Sequence, residues 1–437
     1  MLASEIVSEH NDDPRPVLRS PRLWLAPAVV VTALMALLAA MYLGGVLDPQ
    51  QHLHGFPVAL VDQDEGETVA GQPRNVGHEI ADGIADRIPA DKIDLRRIGI
   101  AEATDQLQHG EVYGAIVIPS DFSKRLMILG QASVVPGDVE RPVITVQLNP
   151  RMGAYAQAIT LRIAEQALEQ VNDMVGKQLT EQVRAELAKG EQPPTLSGAS
   201  QLTLAQPVDV RQVSFHPLPD GTGNGLSAFF YTIMLVLAGF TGSMIVHQLV
   251  DSRLGFAPTE FGPWYVRYPS VGISRFRTLL VKWGIIAGVA PVVSGIYLGI
   301  ARLLGMPVDR PLALFLYSTL AIISVGVTAL TVLAALGSAG MLVNLVVFIV
   351  AGLPASGGSV PIEATPPLFG LLARVEPMHQ VFLGVRSILY FNATGAGLAS
   401  AIWMAILGLG IGLAAGAAVT RFYDRKGLLR QASPASA

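Results

Sequence analysis

Six stretches of this chain are long and almost uninterruptedly apolar. Leu23–Leu47 carries no charge, and Gly225–Val250, Leu279–Ile300, Leu312–Ala335, Ala339–Leu353 and Gly397–Thr420 follow it. A helix needs about 20 apolar residues to cross a hydrocarbon core, so these runs read as membrane spans. The fifth is short and ends in Gly352-Leu353-Pro354-Ala355-Ser356-Gly357-Gly358; it is expected to cross by bending or by local thinning of the bilayer. The first run follows a basic segment, as a signal peptide would. Its length exceeds the roughly 7–15 residues of a signal h-region, so an uncleaved anchor is expected.

A long polar stretch, residues 48–224, separates the first two runs, and its pattern changes from run to run. Phe56–Val61 is apolar and β-prone and ends in the turn signal Asp62-Gln63-Asp64-Glu65-Gly66. Val76, Ile80, Ile84 and Ile88 recur at helical spacing. Leu95–Ile100 predicts a strand, Ala101–Gln108 a helix, Tyr113–Ile118 a strand, and Asp121–Leu129 a helix with Ser120 as its N-cap. Pro142–Leu148 is a further strand. Gly153–Ala188 has no proline and predicts a long helix, a stalk or dimer contact in one reading and a helix packed on a sheet in the other. Glu191-Gln192-Pro193-Pro194-Thr195-Leu196-Ser197-Gly198 breaks it before a last strand, Val208–Phe215. Strands alternating with helices predict a small α/β domain. The expected fold is therefore a membrane α-helical, six-span bundle with an α/β domain inserted between spans one and two. Its parts are a tail (1–22), span one (23–47), the α/β domain (48–224), a five-span domain (225–420) and a second tail (421–437).

Charge orients this arrangement. Arg15, Arg19 and Arg22 precede span one; Arg253, Arg267, Arg275, Arg277 and Lys282 follow span two; Arg421, Arg425, Lys426 and Arg430 follow span six. The opposite short connections hold only Arg302, Arg310, Arg374 and Arg386. Cytoplasmic loops are enriched in Lys and Arg, so both termini are expected in the cytoplasm of a cell-membrane protein and residues 48–224 outside it. Gly272–Trp283 is a basic amphipathic entry into span three, suited to the inner leaflet or to a cytoplasmic partner. Pro366–Val375 and Met378–Tyr390, broken at Pro377, are expected at the outer interface.

Composition narrows the chemistry. Of 437 residues, 51% are hydrophobic and 15% charged, against about 25% charged in soluble domains. The net charge of -4 argues against a nucleic-acid partner. With no cysteine, disulfides, thiol nucleophiles and cysteine metal sites are excluded. No G-x-x-x-x-G-K-[ST] loop occurs, so the chain is not expected to be its own P-loop ATPase. His52-Leu53-His54 would place two imidazoles on one strand face, too few for a metal site, and Asn392-Ala393-Thr394 is a bare glycosylation sequon. Gly408, Gly412 and Gly416 form a small-residue stripe for close helix approach, within one chain or across a homodimer. No Asp or Glu lies within the six runs, which argues against a proton-driven exporter half-unit. Asn344 is the clearest mid-span polar residue, and His247 and Lys282 lie near span ends, where snorkelling would serve. No reactive constellation points to an enzyme and no cofactor is implied.

Four segments carry a resemblance. They are Val58-Ala59-Leu60-Val61-Asp62-Gln63-Asp64-Glu65-Gly66, the run Tyr113–Ser123, His216-Pro217-Leu218-Pro219-Asp220-Gly221-Thr222-Gly223, and Ser356-Gly357-Gly358 with Pro361, Pro377, Gly384 and Arg386. In these the chain resembles the phage-infection-protein (YhgE/Pip) family, within the type-2 ABC-transporter permeases. The resemblance marks Asp62, Asp64, Gly66, Pro219, Gly221, Gly223, Pro377 and Arg386 as family positions. It implies an exporter-type permease that pairs as a dimer and is driven by a separate cytoplasmic ATPase, with Arg253, Arg267, Arg275, Arg277 and Lys282 near the coupling surface. The cargo would be hydrophobic or amphipathic. The competing function is an envelope surface-interaction protein, a partner-binding module or phage receptor.

Overall fold

The computed structural model describes residues 21–69, 72–132, 140–187, 198–428 and 430. Arg15, Arg19, the proline-containing break at 191–197 and the tail beyond 430 lie outside them. Five helices among the described residues are long and apolar enough to cross a membrane: α1 (Pro21–Val46), α7 (Leu226–Arg253), α8 (Arg275–Leu303), α9 (Pro311–Leu336) and α13 (Leu398–Arg425). The remaining apolar run forms only a shorter helix. α10 (Ala339–Leu345) passes into a π-helical stretch, Val346–Ala351, and a 3₁₀ turn, Pro354–Ser356. Its 13 residues would advance about 20 Å at an α-helical rise, short of the ~30 Å core.

α9 is the centre of the bundle and packs on α7, α8 and α13. Small polar side chains tie it to α13. The hydroxyls of Ser324 and Thr331 donate to the carbonyls of Ala405 and Gly412, each at 2.9 Å. Asn344 on α10 is buried and donates to Ala329 of α9 at 3.0 Å, an interhelical bond in apolar surroundings. α1 stands apart, packing mainly on the π stretch and the Pro354 turn, with most of its apolar surface uncovered.

Between α1 and α7 the chain forms a five-stranded sheet in the order β4-β1-β5-β6-β7. The strands are β1 (Phe56–Asp62), β4 (Ile93–Arg97), β5 (Gly114–Ile118), β6 (Val143–Leu148) and β7 (Asp209–Ser214). β4, β1 and β5 run parallel, β6 is antiparallel to β5, and β7 is parallel to β6. The helices explain the apolar pattern. α2 (Val76–Arg87), α4 (Phe122–Ala132) and α5 (Ala154–Leu187) share a core with Leu60, Ile116, Ile144 and Val146, while α3 (Ile100–His109) covers Ala59, Val61 and Ala115 on the other face. Strand β5 is thus buried throughout, β6 alternates, and the edge strand β7 is exposed along its length.

α5 lies on the sheet, presenting Ile159, Ile163, Leu168, Val171, Val175 and Leu179 inward. β4 begins two residues earlier than the apolar run Leu95–Ile100 implies, because Ile98 and Ile100 are already in the turn and first residue of α3. Ser120 is not the cap of α4; its carbonyl accepts from the Glu65 amide instead. A short hairpin, β2 (Glu67–Val69) with β3 (Gln72–Arg74), and α6 (Gly198–Ala205) have no counterpart in the sequence reading.

The sheet sits at one end of the bundle. Phe56 and Tyr113 stack at 4.3 Å between ring centroids and join the same apolar cluster as Phe229, Phe382 and Phe391. α11 (Pro367–Ala373) and α12 (Pro377–Tyr390) fill this junction. α12 is buried on nearly every side, against α7, α9 and α13, and does not lie along a surface as expected of an interfacial helix. Pro377 starts it, at a position where the missing N–H costs nothing.

Candidate functional site

At the end of the bundle away from the sheet, four ionisable side chains meet. The Lys282 ammonium donates to Asp251 at 2.5 Å and to His247 Nδ1 at 3.1 Å; His247 Nε2 lies 3.2 Å from Asp251. Arg430 closes the group on the other Asp251 oxygen at 2.7 Å. Lys282 is 3% exposed and Asp251 5%. Lys282 therefore does not snorkel, and it is not part of an exposed basic face: a charge held there needs its counter-ion beside it. A second carboxylate fastens the same end. Asp424 of α13 accepts from the Arg275 and Phe276 amides at 2.8 and 3.0 Å, capping α8 together with Ser274. Arg275 is half-buried under this contact, while Arg253, Arg267 and Arg277 are exposed.

The connection between α7 and α8 holds a feature that sequence reasoning passed over. β8 (Thr259–Phe261) and β9 (Trp264–Val266) form a hairpin closed by the two-residue loop Gly262-Pro263. Phe261, Trp264 and Tyr265 are 67%, 73% and 64% exposed. A dense aromatic patch on a tight hairpin, flanked by Arg253 and Arg267, has the composition of a contact surface. The signal was present: Gly-Pro between two aromatic, β-prone triplets. α8 itself runs unbroken from Arg275, without a separate helix lying along a surface at Gly272–Trp283.

The other singled-out residues have structural surroundings. Asp64 is buried and accepts from the Gly77 and Ser123 amides and the Ser123 hydroxyl, joining the end of β1 to α2 and α4. Asp62 binds the Asp64 amide and the His78 ring, and Gly66 makes the turn at φ +75°. In the return to the bundle, Thr222 closes on the Pro219 carbonyl, and Gly223 carries the chain onward at φ +57°. Gly221 has φ +82° and lies so close to the Gly305 carbonyl that a Cβ would sit 2.3 Å from it. The stripe Gly408, Gly412 and Gly416 faces Ser324, Thr328 and Thr331 of α9, and Trp283 of α8. His52 lies in a turn and His54 in the irregular segment before β1, neither on a strand; His54 Nδ1 donates to the His52 carbonyl. Among the described residues no three metal-ligating groups converge.

At the sheet junction, Glu363 receives the Tyr113 hydroxyl at 2.7 Å and its backbone carbonyl receives the His54 amide. Burial, then the Glu363 charge, raise the Tyr113 pKa well above its ordinary value, so the phenol stays a donor. Glu376 caps α12 by accepting from the His379 amide at 3.0 Å, and burial pushes its carboxyl up to about 7. His379 donates from Nδ1 to the Ser356 carbonyl at 2.8 Å. Arg386 is 8% exposed and has no hydrogen bond or ion pair among the described residues; the Phe382 ring lies 5.2 Å from its guanidinium, and the Glu363 charge acts on it across the larger cavity. It lines two cavities, of about 310 and 200 Å³.

A family model described as ABC-2 family transporter protein matches residues 24–417, nearly the whole chain. The chain belongs to the ABC-2 transporter family. It is a multi-pass membrane protein. A similar curated protein is the uncharacterized protein YhgE of Bacillus subtilis (strain 168), 23% identical over 158 residues. That stretch is 36% of this chain and 19% of YhgE. No solved structure matches significantly.

Proposed function

We propose that this chain is the membrane subunit of an exporter for a hydrophobic or amphipathic compound, driven by a separate ATPase that docks on the bundle end away from the sheet. In this reading all six apolar runs cross, the short one completed by its 3₁₀ turn. Both termini are cytoplasmic, residues 48–224 are extracytoplasmic, and two copies pair. The observation that carries the reading is the braced α7–α8 connection. Asp251, Lys282, Asp424 and Arg430 lock three helix ends together and hold out the Phe261-Trp264-Tyr265 hairpin. A patch on such a rigid base passes a push into α7 and α8. Family membership supports the permease reading; nothing in it favours the surface-interaction alternative. Inverted native membrane vesicles supplied with ATP in the external medium, on their cytoplasmic face, test it. A fluorescent amphiphile should accumulate in them only when the chain is present, and should do so after the proton gradient is collapsed. Accumulation indifferent to ATP would end the proposal.

A further inference from the structure

Arg386 is a buried charge without a hydrogen bond or ion pair among the described residues; the carboxylate whose charge acts on it, Glu363, lines the larger of its two cavities and not the smaller. The smaller cavity, about 200 Å³, is lined by two arginines, Arg151 and Arg386, together with Phe382, Gly225, Gly357 and Gly358; no Asp or Glu lines it. Arg151 is held by long bonds to the Leu107 and Tyr390 carbonyls at 3.3 and 3.4 Å and by the Phe391 and Phe215 rings at 4.6 and 5.6 Å, and its Nε, like that of Arg386, has no acceptor. Two buried or half-buried arginines on one cavity that no carboxylate lines are an arrangement that an anion would complete. Guanidiniums match the paired oxygens of phosphate and carboxylate. Leu226 lines the same cavity, and from it Leu226, Phe230 and Met234 continue along one exposed face of α7 at 43%, 58% and 38% exposure. Their four-residue spacing makes an apolar track that leads away from the charged pocket.

We propose that this cavity is a binding site for the anionic head group, phosphate or carboxylate, of an amphipathic molecule whose apolar tail follows the Leu226-Phe230-Met234 face. Treating that molecule as cargo rests on the exporter reading above; the binding itself does not, and it is measured on the chain alone. The experiment is thermal unfolding of the purified full chain in an uncharged detergent, titrated with octanoate, dihexanoyl phosphatidate, inorganic phosphate and, as a neutral control, octanol. Octanoate and the phosphatidate should raise Tm saturably, and octanol should not. Arg386→Gln and Arg151→Gln should each weaken the apparent affinity roughly ten-fold or more, with Arg386→Lys recovering part of it. If Arg386→Gln does not give a folded protein, Arg151→Gln decides. Amphiphiles binding more tightly than inorganic phosphate support the head-and-tail site; phosphate binding equally well overturns the tail assignment. Octanoate and octanol acting alike, or both glutamine variants keeping wild-type affinity, overturns the anion site.

Discussion

Asp251 and Lys282 show why single side chains near span ends matter here. Read along the chain, Asp251 falls just past one apolar run and Lys282 just inside the next, and each passes for an ordinary end-of-helix charge. Folding buries them against one another. Lys282→Met should destabilise the protein by about 3–5 kcal/mol, because it leaves the carboxylate buried beside only His247 and Arg430. Adding Asp251→Asn to that variant should recover most of the loss, which a double-mutant cycle of unfolding midpoints would measure. Glu376 gives a prediction with the opposite logic. Its carboxyl titrates at about 7 when folded and 4.5 when exposed. Between those values the unfolded chain releases a proton that the folded chain keeps. Stability therefore falls as pH rises from 4.5 to 7 and is flat above, by about 3 kcal/mol in all. Glu376→Gln should remove this slope, so its Tm advantage over wild type should grow between pH 4.5 and 7 and then hold.

At the scale of elements, hydropathy and period made much of the fold legible. The long helices α1, α7, α8, α9 and α13 lie where the apolar runs are, because lipid-facing and buried helix faces are both apolar. The alternation of strand and helix before α7 was also readable. What was not readable was distance between elements. Tyr113 and Glu363 are 250 positions apart, and no periodicity links them. The burial of α12 was missed for a related reason: an amphipathic pattern gives the width of an apolar face but not how many neighbours surround it. The hairpin of β8 and β9 was missed because its aromatic residues belong to no span and its strands are only three residues long. Packing of the Gly408-Gly412-Gly416 stripe makes a testable claim at this scale. Gly416→Leu should cost about 1–3 kcal/mol, since its first new carbon would lie 2.6 Å from the Trp283 ring. The same change at Gly410, which has open space around it, should cost far less. Unfolding midpoints of the two variants in one detergent check this.

The whole molecule is a bundle with two worked ends. At one, the sheet and α12 enclose cavities beside the buried Arg386. At the other, a salt-bridged brace carries an exposed aromatic hairpin. The 437 residues contain no Walker A loop, and the one buried carboxylate on the long helices, among the described residues, is Asp251, tied into the brace at a helix end. We propose that another subunit supplies the energy for transport. The most direct test of this claim is mild-detergent purification of the tagged full chain from its own membranes, beside a variant with Phe261, Trp264 and Tyr265 replaced by alanine. The wild type should bring down an ATP-hydrolysing subunit, and the variant should lose it while keeping the wild-type Tm. Wild-type chain recovered without any nucleotide-binding subunit, or a variant that retains it in full, would contradict the account.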